Sequence, residues 1–235
     1  MITKKELKSI SSLRSKKNRK ELGQFVAEGT KTVEALIESG QAPSALYATQ
    51  ESDLHKVTLV GQKDMERMTL LKNASPMLGL FSIPSEPSLP TKGRVLVLDA
   101  IADPGNLGTI IRLCDWFGIE HILCSEDTVD CYNPKVVQAT MGSLARVYCH
   151  YTDLNTFLSQ SDLPIYGTFL EGESIYETSF PENAMLVLGS ESHGISPAIE
   201  ALVTCRVTIP RKVKQGPESL NVAIAGALTL GEFCQ

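Results

Sequence analysis

The polar residues best suited to chemistry fall in three short stretches, each joining an apolar run to a helical pattern. The first is Asp103-Pro104-Gly105-Asn106-Leu107-Gly108, followed by Arg112. Pro104 and Gly105 favour a tight turn and Asn106 suits a helix N-cap. Arg112 comes six residues after Asn106, less than two helical turns on, and so projects near the loop. The second stretch is Gly189-Ser190-Glu191-Ser192-His193-Gly194-Ile195-Ser196. Gly189 lets a ligand approach the backbone closely, Glu191 accepts hydrogen bonds, and His193, with no recognisable partner, reads as an ordinary loop histidine. The third runs from Ile209-Pro210 to Gly216-Pro217-Glu218-Ser219-Leu220-Asn221-Val222 and places Ser219 and Asn221 at a helix start. Taken singly, the first and third stretches also read as helix caps, and the second as an ordinary loop. A dinucleotide fingerprint G-x-G-x-x-G is absent from the first stretch, which holds only Gly105 and Gly108.

The elements that must carry these loops alternate between strand and helix. Arg94–Ala100 is a continuous apolar run typical of a buried parallel strand. After it the pattern predicts helices at 107–117, 134–141 and 153–160, with strands at 121–124, 145–149, 164–169, 184–188 and 205–209. A short helix from Pro197 and a final helix over 219–233 complete the segment. Such βαβ alternation implies a parallel sheet covered on both faces, with ligands beyond the carboxyl ends of its strands. The three polar stretches fall at such ends. The last helix is rich in small residues (Ala223-Ile224-Ala225-Gly226-Ala227), which suits either a subunit interface or a covered internal contact.

Prolines 84, 87 and 90 mark an extended linker over residues 84–93. It separates a small α/β domain, residues 1–83, from the larger domain, residues 94–235. The small domain opens on a helix with Leu7, Ile10 and Leu13 in register, then a strand at 24–27, a helix at 30–39, and strands at 45–48 and 57–60. Net charge is −5, yet residues 1–20 carry eight basic side chains against the single acid Glu6, a local +7 that leaves −12 on the rest. A basic patch on an acidic body suits local phosphate binding as well as it suits a solvated arm. The candidate phosphate contacts are Arg14, Lys16, Lys17, Arg19 and Lys20.

The remaining composition excludes more than it assigns. No apolar run approaches the ~20 residues that span a bilayer, and the charged N-terminus is unlike a signal peptide, so no membrane association and a cytoplasmic location are expected. The six cysteines form no C-x-x-C pair and have no histidines at zinc spacing. They read as reduced structural thiols, and no metal is expected.

In this order the three stretches resemble the three motifs of the SPOUT superfamily, in its SpoU (TrmH-like) branch of RNA 2′-O-ribose methyltransferases. Motif one matches as Asp103-Pro104-x-Asn106-x-Gly108-x-Ile110-x-Arg112, and motif two as Leu188-Gly189-x-Glu191 with Gly194-Ile195-Ser196. Motif three matches as Ile209-Pro210 with Glu218-Ser219-Leu220-Asn221-Val222. Asn133-Pro134-Lys135 through Gly142-Ser143-Leu144 is similar to the segment that family carries between motifs one and two. Ser12 to Lys20 and Gly23-Gln24-Phe25-Val26-Ala27-Glu28-Gly29 resemble its small RNA-binding domain. One departure is visible. Ser192 stands where the family usually has glycine after the glutamate, and serine would cost about 1 kcal/mol if that position needs positive φ.

The resemblance implies an α/β fold, a mostly parallel sheet ending in a C-terminal trefoil knot, and a homodimer with its active site at the interface. It implies S-adenosylmethionine (AdoMet) held by Gly189, Ile209 and Leu220, and methyl transfer to a ribose 2′-hydroxyl of RNA. Arg112 occupies the position that activates the hydroxyl; because arginine stays protonated, we expect it to stabilise the developing alkoxide, with Asn106, Glu191, Ser219 and Asn221 aligning the site. The extra domain favours ribosomal RNA over transfer RNA by family analogy. A non-catalytic knotted RNA-binding protein is the first alternative, disfavoured because all five of these polar residues are present. A nucleotide-dependent dehydrogenase is the second, disfavoured by the missing glycine fingerprint.

Overall fold

The computed structural model describes residues 2–213 and 218–235, so Gly216 and Pro217 of the third stretch lie outside the described residues. The chain forms two compact units: one holds the residues up to Ser85 together with Asp130–Arg146, the other Glu86–Val129 and Val147–Gln235.

In the first unit, helix α1 (Lys4–Ser12) begins in a reciprocal cap: Thr3 accepts from the Glu6 amide while Glu6 accepts from the Thr3 amide. Helix α2 (Lys16–Leu22), strand β1 (Gln24–Glu28), helix α3 (Thr30–Glu38), strands β2 (Pro43–Ala48) and β3 (Val57–Leu59), helix α4 (Gln62–Met68) and strand β4 (Met77–Ser82) come after it. The sheet order is β1-β4-β2-β3, with β4 antiparallel to both neighbours and β2 parallel to β3. Ile10, Leu13, Met65, Met68 and Leu78 close the core. Strand β4, α2 and α4 were not expected from the sequence. In β4 a glycine interrupts the apolar alternation because the Phe81 ring fills its place: a Cβ on Gly79 would meet Phe81 Cε2 at 2.6 Å. Glu28 is buried and accepts from the Thr69 hydroxyl (2.6 Å) and the Leu70 amide (2.7 Å). Burial pushes its carboxyl above the usual range, and those hydrogen bonds oppose the shift.

Arg19 requires a correction. Expected among the phosphate contacts, it is instead core, 2% exposed. Its Nε donates to Asp130 (3.0 Å), a second nitrogen pairs with the same carboxylate, and Nη1 donates to the Leu13 and Arg14 carbonyls (2.8 and 2.9 Å). Every face of the guanidinium is committed to protein, so it is not available to a phosphate. Arg14, Lys16, Lys17 and Lys20 are exposed.

The second unit carries strands β5 (Arg94–Asp99), β6 (His121–Cys124), β7 (Tyr148–Tyr151), β8 (Ile165–Ser174), β9 (Ala184–Gly189) and β10 (Cys205–Thr208). They form one parallel sheet in the order β10-β8-β9-β5-β6-β7, as the βαβ alternation required. Helices α5 (Pro104–Phe117), α7 (Leu154–Ser159), α8 (Pro197–Glu200) and α9 (Val222–Phe233) belong to this unit, and α6 (Pro134–Thr140) to the first. Val95, Val97, Met185 and Val187 fill one face of the sheet against α7 and α8. On α5 and α9, Ile110, Ile111, Cys114, Leu230 and Phe233 are buried, and the two helices pack together. Burial raises the Cys114 thiol far above its ordinary value, in keeping with an inert structural role.

Candidate active site

Asp103 begins α5. Its carboxylate accepts from the Asn106 amide (2.8 Å), and Pro104 takes the first helical position, where a missing N–H costs nothing. The N-cap is therefore Asp103 and not Asn106. This leaves the Asn106 side chain free to act elsewhere, and it does: its Nδ2 donates to Glu191, 85 residues later. Asn106 Oδ1 in turn accepts from Asn221 Nδ2 (3.0 Å). Asn221 Oδ1 caps α9, accepting from the Ala223 and Ile224 amides (3.0 and 3.3 Å).

These contacts form one directed chain. Two helix N-terminal amides donate to Asn221, Asn221 to Asn106, and Asn106 to the Glu191 carboxylate. Each amide is used as donor on one side and acceptor on the other, so neither can flip without losing two bonds. The dipoles line up towards the negative charge, an arrangement in which each bond strengthens the next. One residue from each of the three sequence stretches is thereby held at the carboxyl end of the sheet.

The loop that presents Glu191 is tightly folded. Ser190 N donates to Gly194 O (3.0 Å) and Gly194 N to Ser190 O (2.9 Å). A Cβ on Gly189 would meet Gly194 C at 2.1 Å and Ile195 N at 2.2 Å. The space on the Cβ side of Gly189 is thus taken by the loop's own return. Gly194 carries the positive φ, +68°, whereas Ser192 is not among the residues with positive φ, so the departure at that position is unstrained. The Ser192 hydroxyl pairs with His193 Nδ1 (2.7 Å), giving the loop histidine a neighbour as its partner.

Arg112 is on α5, exposed, with no hydrogen bond or ion pair among the described residues. Trp116 lies one turn later on the same face and is 84% exposed. Ser219 is exposed and Ile209 half-buried; Leu220 is 44% exposed beside the Asn221 cap. No group of three or more His, Cys, Asp or Glu among the described residues is placed to hold a metal ion.

Comparison with known proteins decides what this arrangement belongs to. Residues 93–231 match the SpoU rRNA Methylase family. The chain belongs to that family. Residues 4–76 of this SpoU protein also match an MRM3-like substrate binding domain. It is 27% identical to the 23S rRNA (guanosine(2553)-2′-O)-methyltransferase RlmP of Bacillus subtilis, over 95% of this chain and 93% of that one. A solved TrmH-family protein from Porphyromonas gingivalis is 36% identical, with a TM-score of 0.86 and coverage of 99% and 98% of the two chains. An AdoMet-bound rRNA methyltransferase from Sinorhizobium meliloti is 27% identical, with a TM-score of 0.84 and coverage of 99% and 95%.

Sequence reasoning missed several parts of this SpoU site. The Asp-Pro pair at 103–104 was a legible cap signal. Asp99, buried at the end of β5, accepts from the Ser196 amide (2.7 Å) and so ties the Glu191 loop to the strand beside it; nothing local distinguishes it. Residues 168–172 bulge from β8, since Arg206 pairs with Gly167 but Val207 with Glu173. Thr168 Oγ1 donates to Val187 O and Thr208 Oγ1 to Leu170 O (both 3.1 Å), which fixes the bulge between the ends of β9 and β10 and leaves Leu170 75% exposed.

Proposed function

We propose that this chain is an AdoMet-dependent methyltransferase that modifies a ribose 2′-hydroxyl of ribosomal RNA in the cytoplasm. The observation that carries the reading is the directed chain Asn221–Asn106–Glu191, which joins all three motif stretches at the carboxyl ends of a parallel sheet. The RlmP and Sinorhizobium relatives, named for rRNA methylation, support the substrate class.

The loops suit a cofactor without phosphates. Half-buried Ile209 and exposed Leu220 and Leu170 offer apolar surface on the segments that follow the strands. In this reading Gly189, Ile209 and Leu220 hold AdoMet, through backbone groups at Gly189. When bound, AdoMet would supply an activated methyl on a sulfonium for the ribose oxygen. The protein's share is to orient the hydroxyl and steady its oxygen while the proton passes to solvent. Arg112 stays protonated and stabilises negative charge on that oxygen while gripping an adjacent phosphate. Asn106, Glu191, Asn221 and Ser219 align the pocket, and Arg14, Lys16, Lys17 and Lys20 bind RNA phosphates.

The same reading includes a homodimer and a trefoil knot. Trp116 on α5 and Ile224 and Leu228 on α9 are exposed apolar side chains on two helices that pack together, which supports a second copy covering them next to Arg112. After edge strand β10 the chain returns across β8 to lay α9 against β9 and α5, a reversal that suits a threaded C-terminus.

Nucleotide-resolution mapping of 2′-O-methyl groups in ribosomal RNA from cells lacking the gene tests the reading. One ribosomal position should lose its methyl group and regain it from a plasmid copy. Loss confined to transfer RNA would reassign the substrate, and an unchanged map would sink the proposal. Arg112→Lys addresses the arginine: nearly full activity with an acid-shifted pH profile would favour a true base over charge stabilisation.

A further inference from the structure

Leaving β5, the backbone takes an unusual step. Ala100 has φ +58°, in the left-handed region that a Cβ disfavours. Two hydroxyls from the turn after β6 stand against it. Ser125 Oγ accepts from the Ala100 amide (2.9 Å), and Thr128 Oγ1 accepts from the Ile101 amide (3.3 Å). Thr128 donates its own proton to Leu98 O (3.2 Å), so the contact between the two hydroxyls (3.1 Å) has Ser125 as donor. The turn is closed by Ser125 N to Leu98 O (3.0 Å), Thr128 N to Ser125 O (3.0 Å) and Val129 N to Ile101 O (2.9 Å). Thr128 and Ile101 are buried, so water cannot replace these partners.

The catalytic stretch begins just beyond Ile101. Only Ala102 separates Ile101 from Asp103, which starts α5 and so sets the positions of Asn106 and Arg112. On the other side, Asp99 holds the Glu191 loop through Ser196. We propose that Ser125 and Thr128 are positioning residues: a hydroxyl clamp that keeps Ala100 left-handed and thereby aims the first turn of α5 at the site. The inference rests on the methyl-transfer reading of that site. If the two hydroxyls only satisfied buried amides, their loss would lower stability without a specific effect on the transfer step.

The variants Thr128→Val, Thr128→Ser, Ala100→Gly and the double variant Ala100→Gly/Thr128→Val separate these cases. They are compared by kcat and KM on ribosomal RNA from cells lacking the gene, by amide hydrogen exchange over residues 99–107, and by melting temperature. Thr128→Val, isosteric but without the hydroxyl, should speed exchange in that peptide and lower kcat by roughly ten- to a hundredfold, as small misplacements of reacting groups do. KM for RNA should not change. Thr128→Ser, which keeps the hydroxyl, should restore both. Glycine adopts positive φ without a clamp, so the double variant should recover most of the lost kcat even though the Ile101 amide stays unpaired. Thr128→Val with normal kcat at a temperature well below its melting point overturns the clamp, and so does a double variant no more active than Thr128→Val. If the unaltered chain transfers no methyl to RNA, the reading of the site falls and the catalytic role of the clamp with it, whatever the exchange data show.

Discussion

Replacing Gly189 by alanine tests how the Glu191 loop is held. The added Cβ would stand 2.1 Å from Gly194 C, 2.2 Å from Ile195 N and 2.4 Å from Gly194 O, all of them backbone atoms. No side chain can swing away, so the loop must retreat by about 0.9 Å merely to restore the 3.0 Å that real Cβ contacts respect. Such a shift breaks or stretches the two Ser190–Gly194 backbone bonds, each worth about 1 kcal/mol, and adds overpacking strain of roughly 1–3 kcal/mol. The expected destabilisation is therefore about 3–5 kcal/mol, or some 6–20 °C in melting temperature for a chain of this size. Because the same shift carries Glu191 away from Asn106, methyl transfer should fall by about a hundredfold. Gly194→Ala is the control: its Cβ meets nothing within 4 Å and suffers only from φ +68°, about 1 kcal/mol. Melting temperature by calorimetry and initial rates of methyl transfer below the transition compare the two variants. If Gly189→Ala behaves like Gly194→Ala in both assays, steric closure at Gly189 is not what holds the loop.

Arg19→Ala should destabilise the first unit by about 3–5 kcal/mol, because it removes a buried guanidinium and leaves the half-buried Asp130 carboxylate without its cation. Lys17→Ala, whose exposed ion pair with Glu21 spans 3.8 Å, should cost under about 0.5 kcal/mol while weakening RNA binding and its salt dependence. Denaturant melts and binding titrations at several salt concentrations read both; an Arg19→Ala chain of normal stability that binds RNA poorly would return Arg19 to the surface role. His150 gives a pH dependence. Burial, then the neighbouring His121 at 3.0 Å, lowers its pKa from 6.5, against a weaker opposing pull from Glu86. The unfolded chain then binds the proton more readily than the folded one, so stability is full above pH 6.5 and falls as pH drops towards the lowered folded value. Melting curves between pH 7.5 and about 5 should show this slope, and His150→Gln should flatten it; an equal slope in the variant would assign it to other groups.

Much of the second unit was legible because its strands and helices bury apolar faces in periodic order. The run Arg94–Asp99, the strand before Gly189 and the helix carrying Arg112 stand where the pattern placed them. Helix α2 was not legible for the converse reason: its buried side chain is Arg19, so no apolar stripe marks it, and a basic run looks alike whether its members face water or a carboxylate. That difference is decided by Asp130, 111 residues away. The polar residue types of the site were open to reading, but their roles were not. Asp103 and Asn106 both qualify as caps by type, and only the start of α5 at Pro104 assigns the cap to one and frees the other. Asn106 meets Glu191 across 85 residues and Asn221 across 115. The left-handed backbone at Ala100, for which an alanine gives no local sign, exists because hydrogen bonds from the turn after β6 offset its strain. Residue type and spacing thus determined which groups were available and on which elements. Burial, hydrogen-bond direction and steric closure between distant segments, which are properties of three-dimensional packing, decided which of them form the site.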